Sequence, residues 1–219
     1  MKNKILLKKK SRYQKIEIKE NSIFGKMLFL DNDLQIAEKD ADIYNQAIIK
    51  PISKKINKNS VILILGGGSG GCIYEILKYK PKLVKFVDID KTLVKISKKN
   101  LVEIHKNSFQ DRKVEYIPKE ALSFLKIDTS FYDIIIYSLT NTPEKFLKVN
   151  KQIFLNNLFT QCKNHLKNNG MMSFQCGSKY NNSTKIFIQN IKNIFKKIII
   201  NSIFIPSYKE EWVFASAKK

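Results

Sequence analysis

The sequence predicts an α/β chain: a doubly wound, mostly parallel sheet preceded by a small antiparallel β-domain. Two observations carry this. From Ser60 onward, short apolar runs alternate with amphipathic segments of helix length, the βα rhythm of a parallel sheet. Before about residue 50 the runs alternate apolar with polar and are separated by turn residues, as in hairpins. We expect an N-terminal β-hairpin domain with its connecting helix over 1–52, and the main domain over 53–219.

In chain order, KIEIKE reads as a strand, FGK as a turn, and MLFLDNDLQIAE as a hairpin around Asp31-Asn32-Asp33. A helix follows over Asp40 to Pro51, because Ala41, Tyr44, Ala47 and Ile48 fall on one face. KKINKNS is read as a linker. VILIL (61–65) is a continuous apolar run, as in a strand buried on both faces. GGGSGG leads into the helix CIYEILKYK, closed by Pro81. VKFVDID (84–90) is the second strand, and TLVKISKKNLVEIH one helix after it. KVEYIP, the short helix ALSFLK and the strand YDIIIYS (132–138) come next. A long helix is expected over about 151–167, stopped by Asn168-Asn169-Gly170. MMSFQC is the fifth strand and KIFIQNIKNIFKKI the last helix, and IINSIFIP with EEWVFASA closes the sheet as a pair.

Composition excludes several classes. No run approaches the roughly 20 apolar residues of a membrane span. The apolar run in MKNKILLKKK is too short for a signal-peptide core, so a cytoplasmic chain with no membrane partner is expected. Cys72, Cys162 and Cys176 have no metal-ligand spacing; we expect buried thiols in a reducing compartment and no metal. The net charge is +21, yet of 40 basic residues all but Arg12 and Arg112 are Lys, spread along the whole chain beside 20 Asn. Base and phosphate readers favour the bidentate guanidinium, so solvated surface lysines, and no nucleic-acid partner, are expected. The Lys-rich N-terminus and KKIII are read as solvated; His105 and His165, in helices among Lys and Asn, as exposed or capping.

The chemistry lies in the first βα turn. Gly66-Gly67-Gly68-Ser69-Gly70-Gly71 leaves a strand and enters a helix, letting the backbone approach a ligand closely. Asp88 or Asp90, 17 or 19 residues beyond Gly71, ends the second strand, where an acid bonds ribose hydroxyls in nucleotide-binding α/β folds. Strand, glycine turn, helix and acid in register point to an adenosine-type ligand. Periodicity does not separate a dinucleotide from S-adenosylmethionine or a relative of it.

A resemblance makes that separation. SRYQKIEI, FGKMLFLDNDLQ, DADIYNQ, VILILGGGSGG and VDID, followed by YDIIIYSLTNTP, MMSFQCGS and IPSYKEEWVFAS, resemble the polyamine aminopropyltransferase (spermidine synthase) family in order along nearly the whole chain. The resemblance implies an N-terminal β-domain on a Rossmann-like core related to S-adenosylmethionine-dependent methyltransferases. It also implies decarboxylated S-adenosylmethionine as co-substrate with no tightly bound cofactor, an amine such as putrescine as acceptor, methylthioadenosine as by-product, and a homodimer.

It carries site residues too. Gln14 and Gln35 match glutamines facing the active site, and Tyr44 a tyrosine lining it. Gly66, Gly68, Ser69 and Gly70 form the donor loop; Asp88 takes the ribose hydroxyls; Glu120, with Ala121, stands where an acid accepts from the adenine amino group. Asn45, Gln175, Tyr208 and Trp212 fall in segments around the amine. At the reacting end the chain departs from the family pattern: Ser69 replaces the Asp that holds the aminopropyl nitrogen, Ser138 and Asn141 replace the pair of catalytic aspartates, and Asn45-Gln46 replaces His-Glu or Gln-Glu. Each change removes negative charge or a base, and general-base help is worth roughly 10²–10⁴ in rate. The implied function is therefore spermidine synthase-like aminopropyl transfer, impaired or altered. Three accounts stay open: an altered transferase using Asp133 or Tyr137 instead; one using S-adenosylmethionine itself for methyl or aminocarboxypropyl transfer; or a non-catalytic nucleoside-binding paralogue. Many relatives continue through further C-terminal helices past WVFASAKK, so a more open pocket is expected here.

Overall fold

The computed structural model describes residues 3–140 and 149–219. Four antiparallel strands, β1 (Lys4–Lys10), β2 (Lys15–Asn21), β3 (Gly25–Leu30) and β4 (Asp33–Ala37), make the first sheet in sequence order. Asp31 and Asn32 both take positive φ (48° and 73°), the two-residue turn that matches strand twist and tolerates Asp and Asn. β1 was not expected. Lys8, Lys15 and Lys19 converge on the buried Glu17 at 3.6, 3.6 and 2.9 Å, so the lysine run is held against β2 as well as solvated.

Helix α1 (Ala41–Ile49) and a 3₁₀ segment (Lys50–Lys55) lead to the second sheet. Ile48, Ile49 and Ile52 of this stretch pack with Ile62, Ile64 and Ile73. The elements that follow are β5 (Val61–Gly66), α2 (Gly71–Leu77), β6 (Leu83–Val87), α3 (Lys91–Asn100), α4 (Val102–His105), β7 (Val114–Ile117), α5 (Ala121–Leu125) and β8 (Tyr132–Ser138). After residues 141–148 come α6 (Lys151–His165), β9 (Leu166–Ser178), α7 (Asn182–Ile194), β10 (Lys197–Ile205) and β11 (Glu210–Lys218). The sheet order is β10-β11-β9-β8-β5-β6-β7, with β5 to β9 parallel and β10 and β11 antiparallel. One apolar core lies on each face of this sheet; a third joins the small sheet to α3 and α4 through Ile16, Leu28, Leu93 and Ile104.

Several boundaries differ from expectation. The single helix after the second strand breaks at Leu101, whose φ and ψ (−113°, 35°) leave the helical region. The long helix stops at His165 instead of at Asn168–Gly170; Leu166 is already extended and buried against Tyr132, and Asn169 (φ 64°) with Gly170 makes an irregularity inside β9. The last helix ends at Ile194, which gives Lys197 and Ile198 of KKIII to β10. His105 is buried (2% exposed) rather than exposed, its Nδ1 accepting from the Asn107 N–H. His165 is half-buried, with its ring nitrogens 2.8 Å from the Ser130 and Leu125 carbonyls. Among the described residues no helix is long and apolar enough to cross a membrane.

Candidate active site

Strand order reverses about β5, which has β6 on one side and β8 on the other. The connections leaving the strands on its two sides diverge to opposite faces of the sheet, and a crevice opens at the carboxyl ends of the strands. The cavity in this crevice is lined by Gly66, Gly67, Gly68 and Ser69, by Asp88 after β6, by Glu120 and Ala121, and by Ser138 at the end of β8. Gln14 and Gln35 from the small sheet, Tyr44 and Asn45 from α1, and Gln175, Tyr208 and Trp212 close its other side. Every site residue expected from the sequence except two is thus brought together. Asn141 lies outside the described residues. Gly70 does not line the cavity: a Cβ on it would stand 2.5 Å from His105 Cβ and 2.6 Å from the Phe109 ring, so this positive-φ glycine packs the turn onto α4 instead. At Gly66 (φ 86°) a Cβ would stand 2.4 Å from the Ser138 carbonyl oxygen, so only glycine lets β5 and β8 close this floor.

The two aspartates after β6 divide their roles. Asp90 is buried: its Oδ1 caps α3 by accepting from the N–H groups of Thr92 and Leu93 at 3.0 and 3.1 Å. Its Oδ2 accepts from Ser11 Oγ at 2.6 Å and Gln14 Nε2 at 3.0 Å, tying the small sheet to the large one. Asp88 faces the cavity, its Oδ1 accepting from the Asp90 N–H at 3.0 Å. Burial pushes its carboxyl up to about 7, reinforced by the neighbouring Asp90 charge and opposed by backbone N–H donors from Asp90 and Gly68. Glu120 caps α5, accepting from the N–H groups of Leu122 and Ser123 at 2.8 and 2.6 Å; a carboxylate has lone pairs left for a further donor.

Asn45, Cys72 and Ser138 adjoin one another in the same lining. Cys72 Sγ–H donates to Asn45 Oδ1 at 3.6 Å and lies 3.8 Å from Ser138 Oγ. Burial pushes the Cys72 thiol up to about 12 and the Tyr44 phenol well above its usual range, so neither is a base near neutral pH. Trp212 Nε1 donates to Gln175 Oε1 at 3.2 Å, and Tyr208 Oη donates to the Gln35 carbonyl at 2.5 Å, closing the late segment over the small sheet. Asp133 and Tyr137 are not among the residues that line this cavity. Asp133 is at the far end of β8, accepting from the Val61 N–H and Lys167 Nζ at 2.8 Å each. Tyr137 is buried among Phe159, Phe174 and Phe187. Sequence reasoning missed Tyr13, Cys72, Lys119 and Thr140 as lining residues. Tyr13, Lys119 and Thr140 adjoin the expected Gln14, Glu120 and Asn141 and were within reach of inspection. Cys72, one residue past the glycine turn, is set beside Asn45 by the packing of α2 on α1.

Residues 41–219 match the spermine/spermidine synthase domain family, and residues 3–38 the spermidine synthase tetramerisation domain. A polyamine aminopropyltransferase of Prochlorococcus marinus (strain MIT 9215) is 33% identical over 222 residues, spanning 98% of this chain and 77% of that protein. One from Sulfurisphaera tokodaii is 29% identical, spanning 98% and 71%. The spermidine synthase structure from Thermotoga maritima superposes with a TM-score of 0.87 at 21% identity, covering 99% of this chain and 72% of that one. A spermidine synthase complexed with the transition state analogue AdoDATO has the same TM-score and identity.

Proposed function

Because the chain belongs to the spermine/spermidine synthase family, we propose that it binds an adenosyl-sulfonium donor in this cavity and transfers its aminopropyl group to an amine such as putrescine only slowly. The observation that carries this is the cavity's charge asymmetry. Asp88 and Glu120 are the carboxylates among its described lining residues, while Asn45, Cys72 and Ser138, which adjoin one another, are uncharged.

In the reaction the acceptor nitrogen attacks the methylene carbon bonded to sulfur. The carbon–sulfur bond breaks, sulfur keeps the electron pair as the neutral thioether, and the amine must shed a proton. Asp88 would hold the ribose hydroxyls and Glu120 the adenine edge. Asp88 and Ser138 end strands two places apart, roughly 10 Å at the usual strand spacing, so Asp88 does not reach the proton of an amine placed at Ser138. Ser138 Oγ bonds the amine without accepting its proton at neutral pH. The +21 charge adds long-range repulsion to a cationic acceptor. We further read the chain as self-associating, supported by the match of residues 3–38; the expected homodimer is part of this proposal.

Mass spectrometry of the full chain with decarboxylated S-adenosylmethionine and putrescine tests the reading. Methylthioadenosine and spermidine should accumulate in equal amounts, at a rate roughly 10²–10⁴ below that of a relative with its catalytic aspartates, measured in parallel. A rate equal to that relative's would contradict the assignment of Ser138. A complete absence of nucleoside binding would contradict the site itself.

A further inference from the structure

We infer that the outer edge of β10 is the interface for a second copy of this chain, the two β10 strands pairing antiparallel about Asn201 to join two large sheets into one. This goes beyond the proposed function: it uses neither the cavity nor residues 3–38. A strand at the edge of a sheet presents unpaired N–H and C=O groups, and chains block such edges with lysines, irregularities or brevity. Among the described residues, three of the four sheet edges are blocked in this way. β1 carries Lys4, Lys8, Lys9 and Lys10 and an irregularity between Ile5 and Leu7. β4 has five residues and pairs irregularly with β3, and β7 has four residues. β10 has none of these devices. Its nine residues pair with β11 in unbroken register, and from Ile198 to Ile205 there is no charge, proline or glycine.

The exposed side chains select the occupant. Ile199 and Ile203, 60% and 38% exposed, lie on one face of the sheet; Ile200 and Phe204, 42% and 55% exposed, lie on the other. A helix laid on the sheet covers one face only, whereas a strand added at the edge brings side chains against both. β10 is also complementary to itself. Only the antiparallel register centred on Asn201 pairs all nine residues of one β10 with all nine of another. It sets Ile199 opposite Ile203 of the second copy and Ile198 opposite Phe204, each pair occurring twice across the two-fold axis. β-branched and aromatic residues opposed in this way stabilise a sheet. The charges favour the same direction. Lys197, with Lys218 opposite it, ends the strand pair on one side, and Glu210 and Glu211 lie at the other. Antiparallel pairing brings the lysine end of one copy to the glutamate end of the other, whereas parallel pairing would set Lys197 against itself.

Disulfide crosslinking of the full chain tests this. Cys72, Cys162 and Cys176 are buried, so Asn201→Cys supplies an exposed thiol against a silent background. At the two-fold axis that thiol meets its own copy, at the Cα separation of about 4.5–5.5 Å that opposed antiparallel residues have and a disulfide spans. Mild oxidation should give a disulfide-linked dimer on a non-reducing gel, roughly tenfold more of it than Lys197→Cys gives, whose thiol would face Ile205. Sedimentation is the second measurement. The unmodified chain should have twice the mass of the double variant Ile199→Lys/Ile203→Lys, which sets lysines opposite one another, whether or not residues 3–38 also associate. Neither readout involves the cavity, so the proposed function stands or falls separately. Equal crosslinking of the two cysteine variants, or an unchanged mass for the lysine variant, overturns the inference and leaves the edge to a strand of another protein.

Discussion

Asp88→Asn should weaken methylthioadenosine binding roughly 100-fold at pH 8 while making the free chain more stable at that pH. A carboxylate accepting two ribose hydroxyls makes charged hydrogen bonds worth about 1.5–3 kcal/mol each, and an amide keeps one acceptor oxygen and presents a donor in place of the other. The stability gain follows from the raised carboxyl, pushed by burial up to about 7 in the folded chain, above the usual carboxylate range near 4. A proton binds this group more tightly folded than unfolded. Its contribution is therefore most favourable at low pH and is lost as pH rises from about 4 to 7, leaving the free chain at pH 8 with a penalty on the order of 2 kcal/mol once cavity water is allowed for. Asparagine removes the penalty. The melting temperature should rise at pH 8 and stay unchanged at pH 4, and the affinity of the unmodified chain should fall as pH drops through 7. An unchanged affinity for the variant at pH 8 would remove Asp88 from the ribose.

Ser138→Asp should raise aminopropyl transfer to putrescine roughly 100-fold at pH 7.5. It places a proton acceptor at the end of β8, beside Cys72 and facing the same cavity as Tyr44. A carboxylate there also attracts the cationic acceptor, so KM for putrescine should fall together with the rise in kcat. Steady-state kinetics by methylthioadenosine release separates the two. A gain in KM alone would mean that the acceptor, but not its proton, reaches Ser138.

Much of this site was legible in the sequence because its pieces are local. VILIL, the glycine turn and the acid after the second strand sit within 30 residues, and each is dictated by its own stretch of chain. Spacing alone left the choice between Asp88 and Asp90 open, and only the resemblance pointed to Asp88. Two residues apart in an irregular turn, they differ only in what packs on them, and it is Ser11 and Gln14, from a distant strand pair, that claim Asp90. β1 was hidden for a similar reason: an edge strand with one ion-paired glutamate opposite needs no apolar alternation. Asn168–Gly170 looked like a helix stop because the same residue types make a strand irregularity. The burial of His105 against Gly70 and Phe109, and the unpaired amide of Asn45, belong to contacts between elements that no local pattern encodes.

On the proposed reading, no described residue at the reacting end of the cavity takes the acceptor's proton. The pH dependence of kcat, measured with saturating decarboxylated S-adenosylmethionine and putrescine by methylthioadenosine release, tests it most directly. An alkylammonium loses its proton near pH 10, so without a protein base the rate should climb about tenfold per unit from pH 6.5 to 8.5 with no plateau. A plateau reached by pH 7.5, or a bell centred near neutrality, would mean that the protein supplies the base after all, and the reading of Ser138 would fall.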